Sequence, residues 1–390
     1  MSNDRCPSLA RTLSSFYAFY FAILGGVIPY MSLYFESLGF SPQQIGILMS
    51  TLLITKIIAP NFWGYLIDRK SMSQPRFASS TLCIALCLCF LLFAFLNFTQ
   101  HFWLLCCLML GYSFFWNAVL PQIEALVYNY LGDRKHQYGQ IRVWGSIGFI
   151  LVVIVLGWLI DLYGIEILLP IVTLIFFILA IHGILISKSS IRTTRIIQAS
   201  GFINQFSPTI IMVLILGAIS QITHAPFYTF FSIYLESYGY SKTVIGWLWA
   251  LGVIAEVGVF LFAHHLLAKF DIFKLLVICF AVTAIRWWIL SFFPESFSLL
   301  IFAQILHAIS FGLYHSTSSQ LINAQFKGNF QIRGQALYSS ITFGVGGSLG
   351  TLASGFLWSA YGGQQVFLIC AIIMAIATVS GLIFTVFLRR

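Results

Sequence analysis

Residues 32–46 (SLYFESLGFSPQQIG) return two hundred positions later as residues 232–246 (SIYLESYGYSKTVIG), with eight of fifteen pairs identical. The shared Glu-Ser-x-Gly-x-Ser turn implies that this chain of 390 residues is two similar halves laid head to tail. Charged residues make up only 8% of it and hydrophobic residues 59%, too little polar surface for a water-facing shell, so the solvent must be lipid. Parallel halves in so apolar a chain are the mark of a transporter with a substrate path between paired bundles.

Apolar stretches long enough to cross about 30 Å of hydrocarbon as helices are predicted at 12–35, 43–66, 77–97, 102–127, 142–163, 167–187, 207–235, 243–267, 274–293, 298–322, 335–360 and 364–388. The expected fold is therefore all-α, with twelve transmembrane helices in two pseudo-symmetric six-helix bundles. Its units are 1–187, a basic and polar linker at 188–206, and 207–390. Alternating strands of about ten residues are absent, which argues against an outer-membrane barrel. With both ends placed inside, the cytoplasmic segments collect 17 of the 20 Lys and Arg, a bias that orients the chain in a bacterial inner membrane with cytoplasmic termini. The net charge of +9 is that same bias, and no nucleic-acid partner is implied. The first span is too long for a signal-peptide core and is expected to stay. Seven of the eight cysteines fall inside spans, with neither a disulfide framework nor a zinc pattern, so no metal is expected. Pro29, Pro60, Pro121 and Pro226 are candidate bends, with Gly25-Gly26 a flexing point ahead of Pro29, and Gly344, Gly346, Gly347 and Gly350 suit close helix approach.

Ionisable groups within lipid are costly unless paired or facing water, so each is a functional candidate. Lys56, Glu124, Arg142, Glu256 and Arg286 form this set, joined by His182, His224, His307 and His315. Lys56 and Glu256 are themselves two hundred positions apart, so the halves place opposite charges at equivalent sites. On a regular helix His307 and His315 differ by about 80° and roughly 12 Å and can line one side of a cavity. Glu256, Arg286, His307 and His315 are the expected proton-coupling groups, since histidine and a desolvated glutamate both titrate near neutrality. Lys56, Glu124, Arg142, Phe149, His224 and Trp249 are the expected substrate contacts, with Arg142 suited to grip a carboxylate or vicinal hydroxyls in two places. Glu124 and Arg142 equally suit a buried strut or gate at the cytoplasmic end. His264 and His265 are adjacent, point to different sides of a helix and make a poor chelate.

At these residues the whole chain resembles the major facilitator superfamily. Gly64-Tyr-Leu-Ile-Asp68-Arg69-Lys70 resembles its cytoplasmic loop signature, although SMSQPR replaces the usual ending. The resemblance implies a cytoplasmic gate at Gly64, Asp68 and Arg69. YGQIRVWGSIGF (138–149), GYSKTVIGWLWALGVIAEV (239–257), IRWW (285–288) and QILH (304–307) resemble the phenylpropionate permease family. More distantly, Glu124 and Arg142 resemble the sugar-binding Glu/Arg pair of the lactose permease family, and Glu256, Arg286 and His307 its C-terminal substrate and proton residues. Three positions depart from that pattern: Ser310 replaces an acid, His224 and Gln304 replace an Asp–Lys pair, and Phe149 replaces a stacking Trp. The missing Trp and the extra Lys56 favour a small aromatic acid over a sugar.

The expected function is proton-coupled symport of a small organic solute, an aromatic monocarboxylate such as 3-phenylpropionate, by alternating access. The chain would act as a monomer that needs no cofactor beyond the proton gradient. The alternatives are sugar or nucleoside symport and drug efflux by antiport. No nucleotide-binding loop is present, which argues against a primary pump. A membrane sensor lacks its soluble domain here, and an intramembrane hydrolase lacks its nucleophile–base or metal constellation.

Overall fold

The structure, a computed structural model, describes residues 7–70, 77–187, 206–326 and 330–387. All regular structure among them is helical: α1 (Pro7–Ser37), α2 (Pro42–Ile54), α3 (Ala59–Lys70), α4 (Phe77–Phe95), α5 (Phe102–Leu131), α6 (Tyr138–Tyr163) and α7 (Leu168–Ser187) come first. Then follow α8 (Pro208–Ser237), α9 (Lys242–Lys269), α10 (Ile272–Phe292), α11 (Phe297–His307), α12 (Tyr314–Gln325), α13 (Gln331–Tyr338) and α14 (Gly347–Phe387). Apart from Phe206, the expected linker at 188–206 lies outside the described residues.

Eleven helical stretches among the described residues are long and apolar enough to cross a bilayer. The last, Arg333–Thr385, has 53 residues and as one rod would rise roughly 80 Å, more than twice the hydrocarbon thickness. It turns at Gly362 (φ 77, ψ 168), a conformation that costs glycine little because it has no Cβ. Two crossings result, and the expected twelve are met.

The repeat that opens the sequence returns as matching backbone. Gly39 (φ 82) and Gly239 (φ 83) stop the preceding helices in the left-handed region. Ser41 (φ −66, ψ 157) and Ser241 (φ −68, ψ 156) then start the next ones, each hydroxyl accepting from the backbone N–H three residues on. Stop and start signals are thus the letters the two halves share.

Three helices are locally irregular. Pro60 has no N–H to offer the carbonyl of Lys56, and the second span breaks there into α2, a tight 3₁₀ turn at Thr55–Ile57, and α3. Pro29, Pro121 and Pro226 instead sit inside helices that run on unbroken. Two wide π turns, Ala308–Leu313 and Ser339–Gly346, interrupt the tenth and eleventh spans. Gly25, expected as a flexing point, is a close-packing site instead, where an added Cβ would meet the backbone of Phe149.

Across the seam between the halves, α2 packs on α14, α6 on α9 and α1 on α8. Glycines make this approach possible: a Cβ on Gly46 would lie 2.9 Å from Cα of Gly355, and one on Gly246 would lie 2.6 Å from the carbonyl oxygen of Val153. Tyr30 donates its hydroxyl to that same carbonyl at 2.6 Å, and Gln43 donates to Ser359. The carboxylate of Asp161, at the end of α6, takes the first two N–H groups of α9, from Lys242 (2.9 Å) and Thr243 (2.8 Å), together with the Thr243 hydroxyl. A helix N-terminus offers unpaired donors and positive potential, so the carboxylate satisfies both at once. All these contacts lie toward the end bearing the 37–42 and 237–242 turns. At the opposite end, where α1 starts at Pro7 and α14 ends at Phe387, α3 and α13 pack chiefly within their own halves. The molecule is closed at one end and cleft at the other.

Asp161→Asn is expected to shift the closed-to-open balance at the turn end by about 1–2 kcal/mol, roughly five- to thirtyfold. Labelling of a single cysteine at Thr351, buried in the closed seam against Gly46, by an impermeant maleimide should accelerate accordingly. An unchanged labelling rate would show that Asp161 holds nothing shut.

Candidate functional site

The cleft narrows toward the three irregular segments. The 3₁₀ turn of the second span meets the π turn of the eleventh, and a Cβ on Gly344 would press on Ile57. Lys56 therefore sits where the closed seam gives way to the cleft. Its ammonium lies 5.1 Å from the Phe343 ring centroid, a cation–π contact between the halves. Among the described residues the close acid–base contacts are Lys242–Glu236 and His307–Glu256, the second an ion pair only when His307 carries a proton, and Lys56 is in neither. Lys56 is half-buried, and a cation held among apolar rings without a counter-charge is costly, which makes it a candidate contact for an anion.

In the second half, Glu256 and His307 face each other, with Oε2 3.7 Å from Nε2. Arg286 lies beside them and is wholly buried. It donates from Nε to the Ala303 carbonyl at 2.9 Å and from Nη2 to Gln304 Oε1 at 3.4 Å. Its guanidinium lies 4.1 Å from the Phe227 ring and 4.6 Å from that of Trp287. The expected trio is therefore brought together, but with a correction: the carboxylate pairs with the histidine and the arginine with neutral oxygens. Nη1 of Arg286 and Nδ1 of His307 are buried without a partner.

The π turn alters the histidine geometry expected from a regular helix. His307 stacks on Phe311 (5.3 Å, 7°), and Phe311 in turn on His315 (6.4 Å, 11°). The three near-parallel rings form a column along one face of the tenth span.

Glu124 and Arg142 meet in the antiparallel pair α5 and α6, though not as an ion pair. Glu124 accepts from the Tyr138 hydroxyl at 3.1 Å, while the Arg142 guanidinium lies 4.0 Å from the Phe21 ring and 5.6 Å from that of Tyr17. Arg142 also lies within electrostatic reach of Glu256 across the cleft. Both groups are half-buried, and in the low dielectric of such a site their charges are felt across the gap.

Three expected substrate contacts, Phe149, His224 and Trp249, are enclosed, only 7%, 0% and 5% exposed. Phe149 lies in the buried core, with its backbone close against Gly25. His224 Nδ1 lies 2.8 Å from the Ser220 carbonyl, and its ring stands edge-on to Trp287. Trp249 donates to Ser232 at 3.0 Å and packs on Phe227. These three back the wall, and the half-buried rings of Tyr228, Phe311 and Phe343 form its face. Sequence reasoning passed over those rings, because among 39 phenylalanines and 17 tyrosines nothing local marks the ones that meet a cleft. At the gate, Gly64 has open space around it and Arg69 is exposed beside the Tyr65 hydroxyl, while the Asp68 side chain lies outside the described residues.

Residues 10–386 match the model of the MFS_1 like family. The chain belongs to this family of the major facilitator superfamily. It is a multi-pass membrane transporter and not an enzyme. Among its relatives is a protein of Escherichia coli (strain K12) described as a "Probable 3-phenylpropionic acid transporter", 29% identical over 375 residues that cover 93% of this chain and 94% of that one. The maltose permease of Geobacillus stearothermophilus is 24% identical and covers 92% and 91%. The crystal structure of a nucleoside transporter, NupG, superposes with a TM-score of 0.82 at 20% identity, covering 96% of this chain and 98% of that one, and shares its fold. The all-helical major facilitator fold expected from the sequence is thus observed.

Arg286→Lys keeps the charge but loses the planar group that lies against Phe227 and Trp287 and the fork that reaches two acceptors. Its expected cost is about 2–4 kcal/mol of stability, read as a lower unfolding temperature of the purified protein. An unchanged temperature would mean that charge alone suffices there.

Proposed function

We propose that this transporter is a proton-coupled symporter that carries a small aromatic monocarboxylate, such as 3-phenylpropionate, inward across a bacterial inner membrane as a monomer. The observation that carries the reading is Lys56, a cation without a counter-charge among the described residues beside the half-buried aromatic rings of the cleft. A carboxylate on a phenyl chain supplies both missing partners, charge for Lys56 and apolar surface for the rings. The likeness to the 3-phenylpropionic acid transporter supports the same class of solute.

The basic residues concentrate at the end where α1 starts and α14 ends, which makes that end cytoplasmic in this reading. The cleft of this structure then opens inward. Closing it and parting the glycine seam would expose the same groups to the outside.

An anion entering a cell works against the membrane potential, at about 2.3 kcal/mol per charge per 100 mV. One accompanying proton removes that penalty and lets a pH gradient drive accumulation. Glu256, paired with His307 and within reach of Arg142, is the proton carrier in this reading. Glu124 and Arg142 act as the polar wall opposite, and Asp68 and Arg69 as the cytoplasmic gate.

A second reading, symport of a neutral sugar or nucleoside, is favoured by the maltose permease and nucleoside transporter likenesses. It leaves Lys56 unexplained.

Binding of 3-phenylpropionate and of its neutral amide to the purified protein separates the two. The acid is expected to bind at least tenfold more tightly, and Lys56→Ala to remove that preference. Equal binding of both by the wild type would end the anion reading. In proteoliposomes Glu256→Gln is expected to abolish uphill accumulation while sparing exchange, and intact uphill uptake would take Glu256 out of the proton route.

A further inference from the structure

We infer that His315 belongs to the substrate's carboxylate subsite, as the partner of Lys56 from the opposite half, and not to the proton route. The inference rests on the carboxylate reading above and adds a second recognition residue to it. Lys56 and His315 come from different halves and converge on one ring. The ammonium is 5.1 Å from the Phe343 centroid, and the His315 ring, edge-on to Phe343, is 5.8 Å from it. The two groups are within electrostatic reach of each other. No ion pair among the described residues involves either, and Nδ1 of His315 is buried without a hydrogen-bond partner.

Glu256 pairs with His307 at the other end of the ring column, with Phe311 stacked between the two histidines. A ring carries no proton from one to the other, so His315 is cut off from the carboxylate by its own column. What His315 faces is a cation and three rings, Phe311, Phe343 and Tyr338. An imidazole N–H and an ammonium that converge with no anion between them are a recognition pair for one carboxylate. The phenyl end of such a solute would lie along Phe311 and Phe343, whose rings are 6.3 Å apart in an edge-to-face arrangement. Bound there, the carboxylate bridges the halves where the seam ends, so the solute itself joins the two sides of the cleft.

The test measures binding of 3-phenylpropionate and 3-phenylpropanamide to the purified wild type, His315→Ala and His315→Gln, together with exchange and uphill uptake in proteoliposomes. His315→Ala is expected to weaken acid binding about tenfold and leave amide binding intact, which also reports that the variant is folded. His315→Gln, which keeps a donor, is expected to recover most of the loss and to accumulate the acid uphill. Full acid preference in His315→Ala, with uphill accumulation lost and exchange retained, would return His315 to the proton route and overturn this assignment alone. A wild type that does not prefer the acid would overturn the substrate reading and this assignment with it.

Discussion

The backbones of the two halves touch at one end because no side chain stands between them. Gly46 against Gly355, and Gly246 against the Val153 carbonyl, let helices from opposite halves meet at distances a Cβ would forbid. Everything in the cleft follows from that contact. Two six-helix bodies closed at one end must diverge toward the other, and the divergence begins where the 3₁₀ turn of the second span meets the π turn of the eleventh. Contact between bare backbones has few side chains to repack when it parts. It is fixed instead by a few polar ties, of which the Asp161 carboxylate on the α9 N-terminus is the most fully bonded.

Gene duplication gives two similar bodies, yet a carrier needs them to differ where the solute sits. Lys56 and Glu256 occupy equivalent places in the repeat, but Pro60 breaks the helix around Lys56 while α9 runs unbroken past Glu256. The break faces the lysine toward the other half, onto Phe343, whereas the glutamate stays within its own half, on His307. Opposite charges on equivalent scaffolds thus acquire different partners, one an inter-half ring and the other a titratable neighbour. Under the proposed mechanism this asymmetry separates anion recognition from proton binding.

Much of the architecture was legible in the sequence because lipid leaves few choices. Span number, the repeat turn and its Ser and Gly signals follow from hydrophobic length and local backbone chemistry. The breaks were less legible. Four prolines looked equivalent as candidate bends, but Pro60 alone among them breaks its helix, and nothing local distinguishes it. The π turns depend on tertiary packing and leave no signature of their own. At the candidate site, charged residues stand out by their cost in lipid, which is why Lys56, Glu256, Arg286 and His307 could be singled out. Asp161 escaped that search because it sits at a span end, where a carboxylate is unremarked. Phe149, His224 and Trp249 are enclosed in this structure, a depth that neither composition nor spacing reveals.

Arg286 shows how a departure from the lactose permease pattern redistributes chemistry. The acid expected three residues after His307 is Ser310, whose hydroxyl turns back to the His307 carbonyl at 3.4 Å. The position of the expected lysine is Gln304, which accepts from the guanidinium. Arg286 is therefore held by a carbonyl, an amide and two ring faces, none of which titrates, while its Nη1 stays without a partner. A buried guanidinium held this way is a fixed positive charge, and its field stays constant while a proton comes and goes nearby. Under the proposed mechanism, change in charge is confined to Glu256 and His307, with Arg142 the charged group that reaches Glu256 from the other half. In the proposed cycle, a proton on Glu256 removes the negative charge that Arg142 feels across the cleft at the moment when the incoming carboxylate brings one of its own. Proton and solute are thereby bound together in one electrostatic balance, which is the physical content of coupling in this proposal.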